Sequence, residues 1–379
     1  MTSLFCVRAT NIVLLAFLSS FVAERSALQP HCDSCNEFGF VKLSVDPDLV
    51  DANGIVVNKL ADCMEYDEVL SPQQMSVCLG KGSRYLSCFA LGMRKAVNWC
   101  GRVFNQSKWN CSHAVRQLVF GNIVHTMNLR ERAAVLMMIS ASVMMELTTC
   151  CREALLQDCS CHFPPDILRF ERIVVNGNAT YIYAGCSDRL DIPAERTKQL
   201  LDVNSNVEDE EPCDLADRHN VEAGIKMASV TTRSCHCHGL TAACNIQTCK
   251  HRILRYSNVA NQMLEKYSGA VKVQKEAETN QLLPANALAD PPTSGDLVFF
   301  CDSPDYSVAN ASMDIPGTKD RLCDPSKHGL GSCDLFCGGR GYYKRTITTP
   351  IYERHFDFNQ FKIVNRIVRY ETNTKHFCN

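Results

Sequence analysis

Apolar residues recur at helical spacing through the first half of the chain. Ser71 followed by Pro72 is the N-cap and first-turn order with which helices begin, and Phe89 and Met93 then lie four positions apart, on one side of a predicted helix. We therefore predict that residues 60–160 are mainly helical.

One apolar run in this region reads "AAVLMMISASVMMEL", from Ala133 to Leu147. It is short for a membrane-spanning helix, which needs about 20 apolar residues, and Ser140 and Ser142 interrupt it. The run predicts a helix buried in the core of the protein, with methionines filling the space between other apolar side chains.

The pattern changes to that of strands and turns after residue 164. Two short segments, "ERIV" and "YIYAGC", flank "VNGNAT", whose Asn and Gly residues are typical of a turn, so we predict a hairpin. The acidic run from Asn206 to Asp214 is interpreted as a solvated loop rather than a binding site. The segments "LADRHNVEAGIKMASVTT" and "NVANQMLEKYSGAVKV" are predicted helices.

Composition suggests two domains of an α+β protein. Residues 274–296 are polar, contain prolines and lack cysteine, which is typical of a linker. Residues 297–379 combine short strands, Gly-rich turns and cysteines, and they are too few to build a generous core without cross-links. We predict a helix-rich N-terminal domain over 24–273 and a small, β-rich, disulfide-containing C-terminal domain over 297–379.

The N-terminus predicts secretion. Arg8 precedes an apolar run from Ile12 to Ala23, which is the order of a signal peptide, so we assign residues 1–23 to a leader. The chain has 23 cysteines; loss of the leader removes Cys6 and leaves an even number in an oxidising compartment. The formal net charge of −2 gives no reason to expect nucleic-acid binding.

Glycosylation sequons agree with secretion. Asn105, Asn178 and Asn310 each begin an Asn-x-Ser or Asn-x-Thr triplet in a predicted surface loop, and we expect all three to carry glycans. The triplet at Asn110 also matches, but its middle residue is Cys111, which we expect to form a disulfide.

The stretch "CHCHGLTAACNIQTC", Cys235 to Cys249, has enough Cys and His residues for a zinc site. Structural zinc sites usually use C-x(2–4)-C pairs, however, and secretion favours oxidation of the thiols. A disulfide-stapled hairpin is the alternative, with Cys237 and Cys244 closing a six-residue loop. The two cysteine pairs cannot both lie in one unbroken register, so a bulge or bend is required. We favour the hairpin and expect no metal site.

Six segments in order resemble one family. They are "CGRVFNQSKWNCS", "CREALLQDCSC", "YAGCSD", "DRHNVEAGIKMAS", "CHCHGLTAACNIQTC" and "CDLFCGGRGYY". They are similar to the R-W-N-C, C-x(7)-C-x-C, W-G-G-C-S-D, H-N-N-E-A-G-R, C-x-C-H-G-x-S-G-S-C and C-C-G-R-G-Y motifs of the Wnt family of secreted signalling proteins. The resemblance extends from about Cys63 to Cys378.

This resemblance implies a Wnt-like α+β fold with eight disulfides. The implied pairs are Cys63–Cys78, Cys100–Cys111, Cys151–Cys159, Cys161–Cys186, Cys235–Cys249, Cys237–Cys244, Cys323–Cys333 and Cys337–Cys378. Six other cysteines have no family partner, and the sequence leaves their pairing open: Cys32, Cys35, Cys88, Cys150, Cys213 and Cys301. For the C-x-x-C pair Cys32 and Cys35 we favour a local or cross-loop staple over a redox motif, since no thioredoxin-like βαβ context surrounds it.

The hairpin of residues 235–249 corresponds to the lipid-bearing thumb of the family. There a serine at the tip receives a monounsaturated acyl chain from the acyltransferase Porcupine, and the chain occupies a groove of the Frizzled cysteine-rich domain. In this sequence the position is Thr241, whose hydroxyl permits an ester but whose methyl group crowds it. The implied thumb residues are His238, Gly239, Leu240, Thr241, Ala242 and Ala243.

The C-terminal finger, the second Frizzled contact of the family, departs from the pattern. Six residues stand where the family has cysteines: Arg354, Phe356, Phe361, Lys362, Arg366 and Arg369. Gly338 and Ser307 replace a further pair. We expect a hairpin without these cross-links that contacts the receptor through Phe358 and Phe361. Its basic residues, among them Arg354, His355 and Lys362, face either water or heparan sulfate, and we favour water.

We therefore expect a secreted, extracellular-matrix-associated Wnt-type ligand of Frizzled receptors that acts in development, on cell fate and polarity. Its expected partners are a co-receptor related to the low-density-lipoprotein receptor and, if it is acylated, Porcupine and the Wntless carrier. A non-acylated or antagonist variant that binds part of the receptor set is the alternative. The sequence has no G-x-S-x-G or H-E-x-x-H motif, so we expect neither an enzyme nor a cofactor.

Overall fold

The computed structural model describes most of the chain beyond the predicted leader, which lies outside it. The described residues are 35, 63–68, 70–109, 111, 127–163, 170–175, 178–202, 211–239, 244–276, 279, 281–313, 315–357 and 362–379. They form two compact units, one drawn from residues 1–99 and 118–303 and the other from 100–117 and 304–379.

The first unit begins with the helices predicted from the apolar pattern. Helix α1 spans Pro72–Lys81, and α2 spans Arg84–Val103. Residues 84–99 of α2 belong to the first unit and residues 100–103 to the second. Ser71 and Gln74 form a reciprocal cap at the start of α1: the Ser71 hydroxyl accepts from the Gln74 N–H, and the Gln74 side chain accepts from the Ser71 N–H. The predicted helix start at Ser71 and Pro72 is therefore confirmed.

Helix α3, Arg130–Arg152, is the centre of the first unit. Twenty of its 23 residues are buried. Its length and composition would suit a membrane span, but its apolar surface is covered by protein. Ser140 and Ser142 donate their hydroxyls to carbonyls of their own helix, which lets both polar side chains remain buried. The predicted core helix is confirmed.

Three further helices pack around this core. They are α4 (Asp191–Leu200), α5 (Pro212–Ala228) and α6 (Tyr256–Ser268). Helix α5 approaches α3 closely at Gly224, where an added Cβ would lie 2.0 Å from the Ser140 Oγ and 2.4 Å from the Met137 carbonyl oxygen. Glycine is the residue type that this helix contact can accept without a shift of backbone.

A four-stranded sheet joins two hairpins in the first unit. Its strands are β1 (Phe170–Val175), β2 (Asn178–Ala184), β3 (Thr231–Cys237) and β4 (Ile246–Ile253), in the order β1-β2-β4-β3. The predicted hairpin after residue 164 is confirmed by the antiparallel pairing of β1 with β2. Strands β2 and β4 are parallel, and β3 and β4 are antiparallel.

A small sheet in the order β6-β5-β7 completes the first unit. Its strands are β5 (Val271–Lys275), β6 (Leu282–Pro284) and β7 (Val298–Phe299). Strand β6 lies within the segment expected to be a linker, residues 274–296. The side-chain amide of Asn220 pairs with the Val298 backbone as a strand would, at 2.9 and 3.0 Å.

The second unit contains β8 (Leu322–Cys323), the short helix α7 (Cys333–Phe336), and two long strands, β9 (Tyr342–Asp357) and β10 (Lys362–Cys378). The sheet order is β8-β10-β9, with all pairs antiparallel. The buried cluster at the base of the long hairpin consists of four cysteines and one phenylalanine: Cys323, Cys333, Phe336, Cys337 and Cys378. Disulfides thus supply most of this small core.

Candidate functional site

The hairpin of β3 and β4 has the double staple expected for the thumb. Cys235 lies directly opposite Cys249, with their Cα atoms 4.0 Å apart, and the two are disulfide-bonded. The second disulfide joins Cys237 to Cys244, at a Cα separation of 4.8 Å. Because β4 begins only at Ile246, Cys244 lies outside the ladder, which resolves the register conflict between the two pairs.

The end of this hairpin is only partly described. His238 continues the ladder by donating its N–H to the Ile246 carbonyl at 2.8 Å, and Gly239 follows. Leu240, Thr241, Ala242 and Ala243 lie outside the described residues, so acylation of Thr241 stays a prediction.

A buried carboxylate, missed by the sequence reasoning, anchors the base of the thumb. The side chain of Asp188, in the "YAGCSD" segment, is fully buried. It accepts from Arg152 of α3 at 3.1 Å, from Arg252 of β4, and from the Ile253 N–H at 2.9 Å. The carboxylate therefore ties the second thumb strand to the core helix. A charged residue among small ones just after a strand was the available signal.

Ser187 adds to this anchor. Its hydroxyl accepts from the His251 N–H at 2.9 Å, while the Asp188 N–H donates to the His251 carbonyl at the same distance. Strand β4 is therefore held in place by hydrogen bonds to its backbone at His251 and Ile253 and by the ion pair of its Arg252 side chain.

Every disulfide implied by the family resemblance is present in the structure. The pairs are Cys63–Cys78, Cys100–Cys111, Cys151–Cys159, Cys161–Cys186, Cys235–Cys249, Cys237–Cys244, Cys323–Cys333 and Cys337–Cys378. Two further pairs answer questions that the sequence left open. Cys88 of α2 is bonded to Cys150 of α3, and Cys35 is bonded to Cys213.

The pairing of Cys35 excludes a local bridge to Cys32, because the bonded partner lies 178 residues away. Cys301 is disulfide-bonded as well, and Cys32 lies outside the described residues. The staple favoured over a redox motif for this C-x-x-C segment is therefore cross-loop at Cys35.

Among the residues that the structure describes, one group of sulfur atoms has the spacing of a metal site. The sulfurs of Cys323, Cys337 and Cys378 lie within 4.8 Å of one another and are buried. All three belong to disulfides, so none offers a thiolate, and this cluster is a structural core rather than a metal centre.

The finger, β9–β10, is a long hairpin with two chemically different faces. Arg345 lies opposite Lys375 and Glu353 opposite Arg366 on one face, whereas Tyr352 lies opposite Ile367 on the other. The exposed apolar side chains of this second face include Tyr352, Ile363, Ile367 and Tyr370. Phe358 and Phe361 lie outside the described residues, so their predicted receptor contact stays a prediction.

The sequence "KIVNRIVRY" lacks a regular two-residue alternation, and the structure gives the reason. The register of β10 shifts between Ile367 and Arg369, which inserts Val368 as an unpaired residue. Ile367 and Tyr370, three positions apart, therefore share a face.

Two of the three predicted glycosylation sites have described side chains. Asn105 and Asn310 are exposed, and the Asn310 side chain accepts from the Ser312 hydroxyl at 2.7 Å. Asn178 begins β2, and its side chain is not among the described ones.

These features define a disulfide-stapled α+β fold with a stapled hairpin in the first unit and a long hairpin in the second, and the comparisons agree. The profile of the Wnt family matches residues 67–351. Protein Wnt-6 of Homo sapiens is 30% identical over 292 residues, 73% of this chain and 79% of that protein. Protein Wnt-5a of Ambystoma mexicanum is 29% identical over 283 residues, 72% of this chain and 75% of that protein.

A solved structure shares the fold. A chain from the complex of human WLS with WNT8A superposes with a TM-score of 0.54 at 23% identity, covering 78% of this chain and 94% of that one. The chain belongs to the Wnt family, whose members are secreted signalling ligands rather than enzymes, and it has the α+β fold of that family.

Proposed function

We propose that this protein is a secreted Wnt-type ligand that binds the cysteine-rich domain of a Frizzled-type receptor through its thumb and finger, and that it signals in development. The thumb carries the proposal. Its described part has two disulfides and a buried carboxylate at its base, which make it a rigid support for the receptor contact proposed for residues 238–243. A preorganised support lowers the entropy lost on binding.

Thr241 is the proposed acyl acceptor, and Porcupine the enzyme that modifies it. An acyl chain contributes about 0.8 kcal/mol per buried methylene, so a long one would dominate the affinity for an apolar receptor groove. The carrier Wntless is a proposed partner of the acylated form; a protein of the same fold has been solved in complex with human WLS.

Mass spectrometry of the secreted protein tests the acylation. The protein is expressed with Porcupine, and the tryptic fragment Ser234–Lys250 is compared among the wild type, Thr241→Ser and Thr241→Ala. We expect a monounsaturated acyl group on the wild type and, at higher occupancy, on Thr241→Ser, where the crowding methyl is gone. Thr241→Ala should carry none. If Thr241→Ser is acylated and the wild type is not, Thr241 is not an acyl acceptor, and the protein binds its receptor without a lipid.

The finger is the proposed second receptor contact. Tyr352, Ile363 and Ile367 are exposed and form an apolar surface on one face of the finger. Exposed apolar surfaces of this kind usually mark the binding site of a partner. Binding of immobilised Frizzled cysteine-rich domain should weaken at least tenfold in Ile367→Asp. A matched change on the opposite face, Thr349→Asp, should have a much smaller effect. Equal losses would assign the binding to another surface.

Matrix association is the proposed role of the basic residues of the finger. Residues 342–378 hold seven Lys or Arg residues against three Asp or Glu, while the whole chain has a formal charge of −2. Heparan sulfate suits such local positive charge. The double variant Arg366→Ser and Arg369→Ser should elute from heparin at a lower salt concentration than the wild type. Unchanged elution would show that these two arginines face solvent and do not bind heparan sulfate.

An antagonist is the second candidate function, with a co-receptor of the low-density-lipoprotein-receptor-related type left unengaged. Thr241 in place of serine and the absence of six family cysteines from the finger favour it. A reporter assay separates the two: the ligand raises Wnt reporter activity by itself, whereas the antagonist only lowers the response to another Wnt.

A further inference from the structure

Two histidines lie close together on the thumb, and one of them, His238, is also among the residues of the proposed receptor contact. His236 and His238 are two positions apart on β3 and its continuation, so their side chains project from the same face of the hairpin. Cys235 and Cys237 alternate with them and project from the other face. Both histidine side chains are exposed to solvent.

The two imidazoles have the separation of ligands on a common ion. Their ring centroids lie 5.0 Å apart, and the rings are inclined by 80°. Two imidazoles on one tetrahedral ion, each with its nitrogen about 2.0 Å from the metal, have centroids roughly 5 Å apart. The hairpin already holds the rings at this distance.

A hydroxyl orients one of the rings. The Nε2 of His238 lies 2.8 Å from the Oγ1 of Thr248 on β4. When Nε2–H donates to this oxygen, Nδ1 is the nitrogen that has a free lone pair. Metal-bound histidines typically donate their second ring N–H in this manner, which fixes the ring and raises its basicity.

The disulfides decide which atoms can act as ligands. Cys235, Cys237, Cys244 and Cys249 are oxidised, which excludes the cysteine-based zinc site considered from the sequence. The same bonds hold β3 and β4 in place on both sides of His236, so the histidines need little ordering when an ion binds.

We propose that His236 and His238 bind a divalent transition-metal ion, copper(II) or zinc(II), on the exposed face of the thumb. Imidazole nitrogens suit both ions, and copper should bind the more tightly. Water or a group from a partner protein would complete the coordination. Lys250 lies diagonally across from His236 on the same face, and its positive charge should weaken binding. Metal binding here needs neither the acyl chain nor the receptor, but His238 is shared with the proposed receptor contact, so the site is tested on the free protein.

Calorimetric titration of the metal-stripped, full-length secreted protein with Cu²⁺ and with Zn²⁺ tests the proposal. We expect one ion per chain at this site, and at least tenfold weaker binding in His236→Asn. Thr248→Val should weaken binding about tenfold through loss of the orienting hydroxyl. Lys250→Gln should strengthen it.

His251→Asn is the matched control, since its residue lies on β4 opposite Arg233, on the other face of the hairpin. It should leave the affinity unchanged. Peptide mapping of Cys235–Cys249 and Cys237–Cys244 in each variant shows that the hairpin has formed. The proposal is overturned if the wild type and His236→Asn bind equally, or if His251→Asn loses as much affinity as His236→Asn.

Discussion

Ser307 and Gly338 occupy adjacent positions in the second unit. A Cβ added to Gly338 would lie 2.9 Å from the Cβ of Ser307 and 2.7 Å from its Oγ. The family resemblance places a disulfide at these two positions, and Ser307 is buried. The chain therefore keeps the geometry of the cross-link after losing both cysteines, with the space filled by one small side chain and a glycine.

Restoring that cross-link should stabilise the second unit. Ser307→Cys combined with Gly338→Cys closes a loop for which a disulfide contributes about 2–4 kcal/mol. Gly338 has a φ of +61°, so a cysteine there costs about 1 kcal/mol. The two Cβ positions, 2.9 Å apart, must also separate to the roughly 3.5–4.5 Å that a disulfide requires. Denaturant unfolding should show a net gain of about 2 kcal/mol over either single variant. Two free thiols in the double variant would contradict the juxtaposition.

Gly224→Ala should destabilise the first unit. The added methyl meets the Met137 carbonyl, a backbone atom that cannot move without shifting α3, so we expect a loss of about 1–3 kcal/mol. Gly80→Ala is the control, because the space around Gly80 is open and alanine favours the helix. Thermal unfolding should move in opposite directions for the two variants, and a neutral Gly224→Ala would mean that the helices are further apart than described.

Asp188→Asn should loosen the base of the thumb. The substitution leaves the cations of Arg152 and Arg252 without their shared carboxylate, and breaking a buried ion pair in this way costs about 3 kcal/mol. Hydrogen exchange of the β4 amides should become faster. Asp191→Asn, which breaks an exposed pair with Arg189, should cost well under 1 kcal/mol. Equal exchange rates in the two variants would show that Asp188 does not anchor β4.

His219 should make stability depend on pH. Burial lowers the pKa of this histidine below its ordinary value of 6.5, although Asp296 and Glu222 oppose the shift. The unfolded chain therefore binds more protons below pH 6.5, and the free energy of unfolding should fall as the pH is lowered from 7.5 through 6.5. The pKa of the Asp296 carboxyl is about 2, so that group stays charged across this range.

His219→Gln tests this assignment with denaturant unfolding at several pH values. Its side-chain amide can still donate to the Asp296 carbonyl, which His219 approaches at 3.0 Å, but it does not titrate. The variant should lose part of the decline in stability between pH 7.5 and 5.5. Parallel pH profiles for the two proteins would place the titrating group elsewhere.

Local features were predictable because they depend on near neighbours in the chain. The apolar run from Ala133 to Leu147 encodes α3, and the turn residues of "VNGNAT" encode the β1–β2 hairpin. The irregular pattern of "KIVNRIVRY" could not be interpreted locally, because the bulge at Val368 depends on the partner strand. The grouping of residues 100–117 with 304–379 was likewise invisible in the sequence.

For the thumb, the sequence by itself determined the chemistry: four cysteines around a short loop and a hydroxyl at Thr241. Tertiary structure decided its support and its surroundings. Asp188 meets two arginines, one 36 and one 64 residues away in the chain, and Cys35 meets Cys213 across 178 residues. Side-chain periodicity reports which face of an element is buried, but only packing of distant segments decides what meets that face.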